Sequence, residues 1–310
     1  MTSIPPYIGF WYLAYRALEV SYWLTLALGV VSALFAVRVF VIFHDCGHGS
    51  FFKSMRANDI LGTITGVLSY TPYYAWRHSH ARHHATSGDL DRRGFGDVWT
   101  MTEEEYRAKS WSQRILYRLY RNPLVIFVAG PAFAFLVLSR FPFADCAGKP
   151  REERSVWVTN FSLLVIVLGL SFTVGVGAML AVTLPITVLS GGIGVWLFYV
   201  QHQYENTYWE RHENWDYFQA ALYGSSFYKL PKVLQWFSGN IGFHHIHHLN
   251  PRIPNYNLEP CHQTIPVFQE VPPLTLRESV KSLHVRLYDE DRGRMVGFHN
   301  PLDQVSGTAS

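Results

Sequence analysis

Residues 156–201 read VWVTNFSLLVIVLGLSFTVGVGAMLAVTLPITVLSGGIGVWLFYVQ and carry no charged side chain. A helix needs about 20 apolar residues to cross a bilayer, and it satisfies its own backbone polar groups while doing so. This run is long enough for two such helices. The small residues Gly175, Val176 and Gly177 at its centre predict a turn, and hence a hairpin of roughly 156–174 and 178–201. Pro185 is expected to kink the second helix, where neighbouring helices satisfy the freed backbone groups.

Outward from the hairpin the pattern recurs in weaker form. Residues 8–43 are strongly apolar, with Arg16, Glu19 and Arg38 as their charges. Arg16 and Glu19 are three apart and suited to pairing on one helix face. Two short tilted passes turning near Gly29 fit this length, as does one pass after an interfacial helix; two are favoured. Residues 60–75 and 123–138 are apolar but short, and Pro72 and Pro131 interrupt them, which predicts interfacial or re-entrant segments. The fold expected is an all-α integral membrane protein of one domain, 1–300. It has about four transmembrane helices (within 8–43 and 156–201), interfacial helices, and a cytoplasmic helical cap from 44–155 and 202–300. Residues 301–310 are small and polar and read as a disordered tail.

Composition points the same way. Apolar residues make up 49% of the 310 and charged residues 16%, against roughly 25% charged in soluble chains. Aromatic residues reach 16%, and tryptophan and tyrosine suit the water–lipid boundary. The net charge of +3 comes without an aromatic-interleaved basic stripe, which speaks against a nucleic-acid partner. Cys46, Cys146 and Cys261 are too few and scattered for a disulfide framework, and no CxxC pair suggests a thiolate zinc site. The N-terminus has neither a basic n-region nor a small-residue cleavage site and does not read as a cleaved signal peptide. Residues 85–155 carry eleven Lys and Arg while the turn near 176 carries none, which places the first on the cytoplasmic side and the second outside.

Ten of the fifteen histidines fall in three clusters: His44 and His48; His78, His80, His83 and His84; His244, His245, His247 and His248. His44 and His48 are one helical turn apart. His80, His83 and His84 form an HxxHH box, and His244, His247 and His248 form a second. Each spacing puts its rings on a single helical face. A lone pair at this spacing is common in proteins without metals. Three clusters on one inferred face of a membrane are not. His78 and His245 lie off these faces and read as outer-sphere donors or polar filler. His202 ends the uncharged run, where it is either an interfacial side chain or a further ligand. With His202 the candidate ligands number nine, and one metal accepts at most about six, so the set implies two metals. Imidazole suits iron, copper, zinc and nickel alike, so the residues alone do not name the metal. Asp45, Asp89, Asp91, Asp97 and Glu205 are candidate acceptors for the ligands' other N–H groups, or solvated loop acids. Gly47 offers room for close approach of a neighbouring helix or substrate. His212, His262, His284 and His299 are isolated and read as surface residues.

The boxes His44-Asp45-Cys46-Gly47-His48, His80-Ala81-Arg82-His83-His84 and His244-His245-Ile246-His247-His248, with a hydrophobic hairpin before the third, resemble those of the membrane fatty acid desaturase family. The likeness covers about residues 20–265. The flanks Trp76-Arg77-His78, Gly242-Phe243 and Pro251 to Tyr256 look most like the acyl-lipid branch of the Δ12/ω-6 type. The resemblance implies two iron ions, O2 as co-substrate, and removal of two hydrogens from an unactivated acyl chain with two electrons. It implies His44, His48, His80, His83, His84, His244, His247 and His248 as catalytic metal ligands, and His202 as a ninth ligand matched by location. No haem-binding His-Pro-Gly-Gly segment is present, so it implies a separate electron donor of the ferredoxin or cytochrome b5 type, and a membrane lipid acyl substrate. Zinc is redox-inert and would not serve this chemistry. Phe43, Phe51, Phe52, Tyr73, Tyr74, Trp76 and Phe243 are candidates to line an acyl tunnel or to pack at the membrane interface.

Two other readings use the same residues. Hydroxylases and ketolases acting on lipids, carotenoids or alkanes share the three-box pattern. More distantly, a zinc membrane hydrolase would want a carboxylate at the metal, with Glu205 the candidate, and a metal transporter would want polar residues inside its spans.

Overall fold

A computed structural model describes residues 2–94, 96–142 and 146–298. The expected tail 301–310 and His299 lie outside these residues. A short helix, α1 (Ile4–Ala17), packs along the long helix α2 (Tyr22–His48). The break between them carries Glu19, which accepts from Arg16 at 3.3 Å, the pairing expected from their spacing. Residues 8–43 do not make two passes turning near Gly29. The chain breaks at residues 18–21, and Gly29 lies buried inside α2. A Cβ there would make ordinary contact with Ile186 at 3.5 Å, so the position is a helix–helix contact and not a turn. At 27 residues α2 runs about 40 Å, ample for one crossing. It stops at Gly49, whose φ of 68° is left-handed; the amides of Gly49 and Ser50 close on the carbonyls of Cys46 and Asp45 at 2.9 and 3.0 Å.

Helix α3 (Met55–Leu68) starts from Ser54, whose hydroxyl accepts from the Ala57 amide, and exposes Met55, Ile60 and Ile64. Pro72 then caps α4 (Tyr73–Thr86), which carries the second histidine box. After α5 (Glu103–Ala108) and α6 (Trp111–Tyr120), residues 125–140 form a π-turn (Val125–Ala129), α7 (Gly130–Leu136) and a 3-10 turn (Leu138–Arg140). This segment is bent by 56° from α6, as a short proline-interrupted segment should be, and would count as a fourth span only if the two are joined. It packs on glycines of the next hairpin: a Cβ at Gly192 would lie 2.6 Å from the Phe127 carbonyl.

That hairpin is α8 (Pro150–Val174) and α9 (Val176–His202), turning at Gly175 alone. With α2 these are, among the described residues, the three helices long and apolar enough to span a bilayer. Helix α8 exposes Phe161, Leu164, Leu168 and Phe172 as a lipid-facing side would, whereas α9 packs centrally, continuous through Pro185. Val37 and Val41 of α2 join Leu197, Tyr199 and Val200 of α9 in one buried cluster. Polar residues follow in α10 (Tyr217–Tyr223), α11 (Lys232–Phe237), α12 (His244–Leu249) and α13 (Asn255–Thr264). The helical expectation is met with one addition. Five strands of two or three residues, β1 (Met101–Thr102), β2 (Phe227–Lys229), β3 (Pro273–Thr275), β4 (Leu287–Asp289) and β5 (Arg294–Val296), pair as β1–β4–β5 and β2–β3 and staple the cap.

Candidate metal centre

The first histidine box occupies the last turn of α2, the second lies in α4, His202 is the last residue of α9, and the third fills α12. These elements bring nine imidazoles together in two groups. His44, His48, His80, His84 and His247 form one, and His83, His202, His244 and His248 the other; within each, one ring nitrogen per residue lies within 4.8 Å of all the rest. Each HxxHH box divides between the groups by the same rule. Its first and last histidines stay together, and the middle one crosses over. The helix explains this. Positions i and i+4 differ by about 40° in azimuth, while i+3 lies about 100° from i+4.

The contacts within the groups are close. His80 Nε2 lies 3.0 Å from His44 Nε2 and 3.2 Å from His84 Nε2, and His84 Nε2 lies 3.1 Å from His247 Nε2. In the second group His202 Nε2 lies 3.0 Å from His244 Nε2. Ligands at right angles on a metal with bonds of about 2.1 Å are about 3.0 Å apart. The Nε2 atoms of His48, His83 and His248 are buried without a hydrogen-bond partner. An unsatisfied buried polar atom costs about 1–3 kcal/mol. A cation at each centre satisfies all of these lone pairs, so the donor set fits metal ions. Burial also pushes the imidazoles of His80, His84, His244, His247 and His248 well below their ordinary value, with neighbouring imidazoles adding to the shift, which keeps them in the neutral, ligating form.

The far side of three rings is held. Asp97 meets His83 Nδ1 at 2.5 Å, the Gly224 carbonyl accepts from His202 Nδ1 at 3.0 Å, and Asp45 lies 3.3 Å from His44 Nδ1. A metal-bound imidazole normally gives its second N–H to such an acceptor. Asp45 is buried and also accepts from the backbone and side-chain nitrogens of Asn255 at 2.7 and 2.8 Å. That contact ties the first box to the segment after the third. The role of Asn255 is not evident from its position in the sequence.

Other acids expected near the site are elsewhere. Asp89 is buried against Arg92 and His212, and Asp91 pairs with Arg211 at the surface. Glu205 is largely exposed and pairs with Arg294 at 3.3 Å, so it is not the carboxylate a metal hydrolase requires. His78 accepts from Lys149 at 2.7 Å, and His245 lies among Phe227, His262 and Phe268; neither joins a group. His284 is exposed and His212 largely so. His262 is half-buried, with its ring packed 4.5 Å from that of Phe227.

A cavity of about 290 Å³ leads from the first group between α2, α4 and α9. Val37, Val41, Trp76, Gly194 and Phe198 line it, and His44, His80 and His244 close its polar end. Of the seven aromatic residues expected there, only Trp76 lines it. Phe43 packs behind Trp76 with ring centres 4.7 Å apart, Tyr73 bonds to the Cys46 carbonyl at 2.6 Å, and Phe243 stacks on Phe227 in another cluster. Aromatic type was a poor guide because the wall is set by helix crossing. A Cβ at Gly47 would come 2.7 Å from the Trp76 ring, so glycine admits the indole that shapes the cavity. Sequence reading also missed Arg121. It is fully buried and bonds to Gln203 at 2.7 Å and to the Trp99 carbonyl at 3.1 Å, joining the loop after the second box to the end of α9.

A sequence model of the family described as fatty acid desaturase matches residues 21–276. A fatty acid desaturase of Bacillus subtilis is 51% identical over 299 residues, covering 96% of this chain and 84% of the relative. Two proteins of Synechocystis sp. are more distant. An sn-1 acyl-lipid omega-3 desaturase (ferredoxin) is 28% identical over 73% of this chain and 63% of its own length. An sn-1 oleoyl-lipid 12-desaturase is 25% identical over 84% and 71%. With its apolar spans and two imidazole groups at their polar ends, the chain belongs to the fatty acid desaturase family, as an oxidoreductase that desaturates acyl chains.

Proposed function

We propose that the protein is an acyl-lipid desaturase holding two iron ions, one in each imidazole group. His44, His48, His80, His84 and His247 hold the first, and His83, His202, His244 and His248 the second. The observation that carries this reading is the convergence of nine ring nitrogens into two sets with spacings suited to a metal. When bound, the iron pair supplies the redox chemistry: with O2, two electrons and two protons, two adjacent methylenes become a double bond and two waters form. The chain's own residues do the rest. Val37, Val41, Trp76 and Phe198 hold an acyl chain extended and exclude water from it. His44, His80 and His244 bring the metals to the end of that cavity, so that one carbon pair faces them. Asp97, Asp45 and the Gly224 carbonyl fix ring orientation by holding the second nitrogen.

Electrons come from a separate donor of the ferredoxin or cytochrome b5 type; one relative carries ferredoxin in its name. The histidine-bearing cap faces the cytoplasm, by the excess of basic residues in 85–155. The test is lipid profiling of a host expressing the chain, together with metal analysis of protein purified from its membranes. New double bonds in membrane lipids and about two irons per chain are the expected result. Hydroxylated products alone would overturn the desaturase assignment, and active preparations that hold zinc and no iron would overturn the metal.

A further inference from the structure

A second recess opens on His48, a ring that does not line the tunnel. It has a volume of about 530 Å³ and is lined by Lys53, Arg77 and Arg252 with Phe52, Met55 and Tyr256, and among the described residues no carboxylate lines it. Arg77 shares Asp59 at 3.3 Å, while Lys53 and Arg252 have no carboxylate partner among the described residues. The walls are fixed before anything binds. The Tyr256 hydroxyl donates to the Phe51 carbonyl at 3.1 Å. The Asn58 side chain accepts from the Phe52 amide at 2.9 Å and donates to its carbonyl at 2.8 Å. Gly49 lets the loop press on Met55, because a Cβ there would meet its sulfur at 2.8 Å. On one flank, exposed Phe52 and Met55 continue into exposed Ile60 and Ile64 of α3. The recess therefore stands where an apolar, lipid-facing surface gives way to the polar cap, the level of lipid phosphates.

We propose that this recess binds the phosphate of a phospholipid headgroup and so anchors the substrate lipid beside the metal groups. The proposal rests on the acyl-lipid reading above. Lys53 and Arg252 without an acid, beside an Arg77 that Asp59 only partly offsets, favour an anion. A concave site a few side chains wide suits one phosphate better than the face of a protein, which needs roughly 800 Å² per partner. Guanidinium and ammonium groups that donate to phosphate make strong, charge-assisted bonds.

The experiment uses the full chain in detergent with a short-chain phosphatidylglycerol as probe, comparing wild type with the double variant Lys53→Gln, Arg252→Gln. Both side chains are exposed, so folding is kept, and the charge-preserving Lys53→Arg, Arg252→Lys variant is the control. The expected result is an apparent Kd at least about tenfold weaker for the glutamine variant, near wild type for the control, and unchanged for a diacylglycerol lacking phosphate. Equal binding of phosphatidylglycerol by wild type and the glutamine variant would overturn the proposal. So would binding of inorganic phosphate as tight as that of the lipid, which would mark a free-anion site. Turnover lost with a protein donor but kept with a chemical reductant would assign the recess to donor docking instead. Because binding is read without turnover, the outcome stands apart from the desaturase reading: wild type that desaturates only acyl thioesters would sink that reading and not this measurement.

Discussion

The imidazole group around His83 is buried throughout, with His244 its one ring at the tunnel, whereas the group around His48 is partly open. All four rings of the first are buried, with Asp97 and the Gly224 carbonyl behind them. In the second, His48 and His80 keep some exposure, and His44, His48 and His80 border the two cavities. Identical ligand chemistry is thus set in unequal walls. The buried group suits holding a metal in place, and the open one suits contact with what arrives from outside.

Alanine at single ligands should break this contrast most severely. His83→Ala is expected to abolish double-bond formation and also to lower the amount of protein in the membrane. It strands the Asp97 carboxylate in a buried site, and removing one partner of a buried pair costs about 3–5 kcal/mol. His48→Ala is expected to abolish activity with protein levels intact, because that ring is partly exposed and leaves no buried charge behind. His247→Ala should also abolish activity. Lipid profiles and immunoblots of membranes read both effects. Surviving activity in any of the three would remove that residue from the ligand set.

Asp97→Asn sharpens the comparison at the next level. The amide still fits, but it no longer accepts as a carboxylate from His83 Nδ1. Loss of such an outer partner typically costs about 10–100-fold in metal affinity or activity. Iron retention during dialysis against a chelator is expected to fall within that range while nine ligands remain. Retention equal to wild type would reduce Asp97 to a packing role.

The hairpin and the histidine boxes were readable in advance, and the reason is locality; the contrast between the two groups was not. The hairpin announces itself because charge is absent over two membrane thicknesses, and the boxes do so because helical spacing alone puts rings on a face. The division of each box between two groups needs the third dimension, since azimuth tells which rings diverge but not what they meet. Gly29 misled for a related reason. A glycine in an apolar run signals either a turn or a close helix contact, and only the position of Ile186 decides. Asn255 and Arg121 act through partners 210 and 78 or more residues away, at Asp45 and at Tyr199 and Gln203, and no local pattern marks such pairs.

The tunnel allows a milder test. A Cβ at Gly194 meets nothing within 4 Å, yet this residue lines the cavity seven positions, about 10 Å, before Gln201 at the polar end of α9. Gly194→Leu should therefore fold normally and fill the tunnel at that depth. The expected outcome is a several-fold loss on long acyl chains with shorter ones spared, seen as a shift in the chain lengths of unsaturated products. An unchanged product distribution would show that the acyl chain does not pass Gly194.

The smallest effect belongs to Glu205, which separates oxidation from metal-dependent hydrolysis. Its carboxylate faces solvent with Arg294 at 3.3 Å, and exposed pairs of this kind are worth about 0–1 kcal/mol. Its structural contribution runs through the backbone, where its carbonyl accepts from the Met295 amide at 2.7 Å and anchors β5. Glu205→Gln keeps that bond and removes only the charge. Less than a twofold change in desaturation is expected, measured alongside Asp97→Asn in the same host. A loss as large as that of Asp97→Asn would mean that Glu205 swings inward to the metals, and the hydrolytic alternative would have to be reopened on that result.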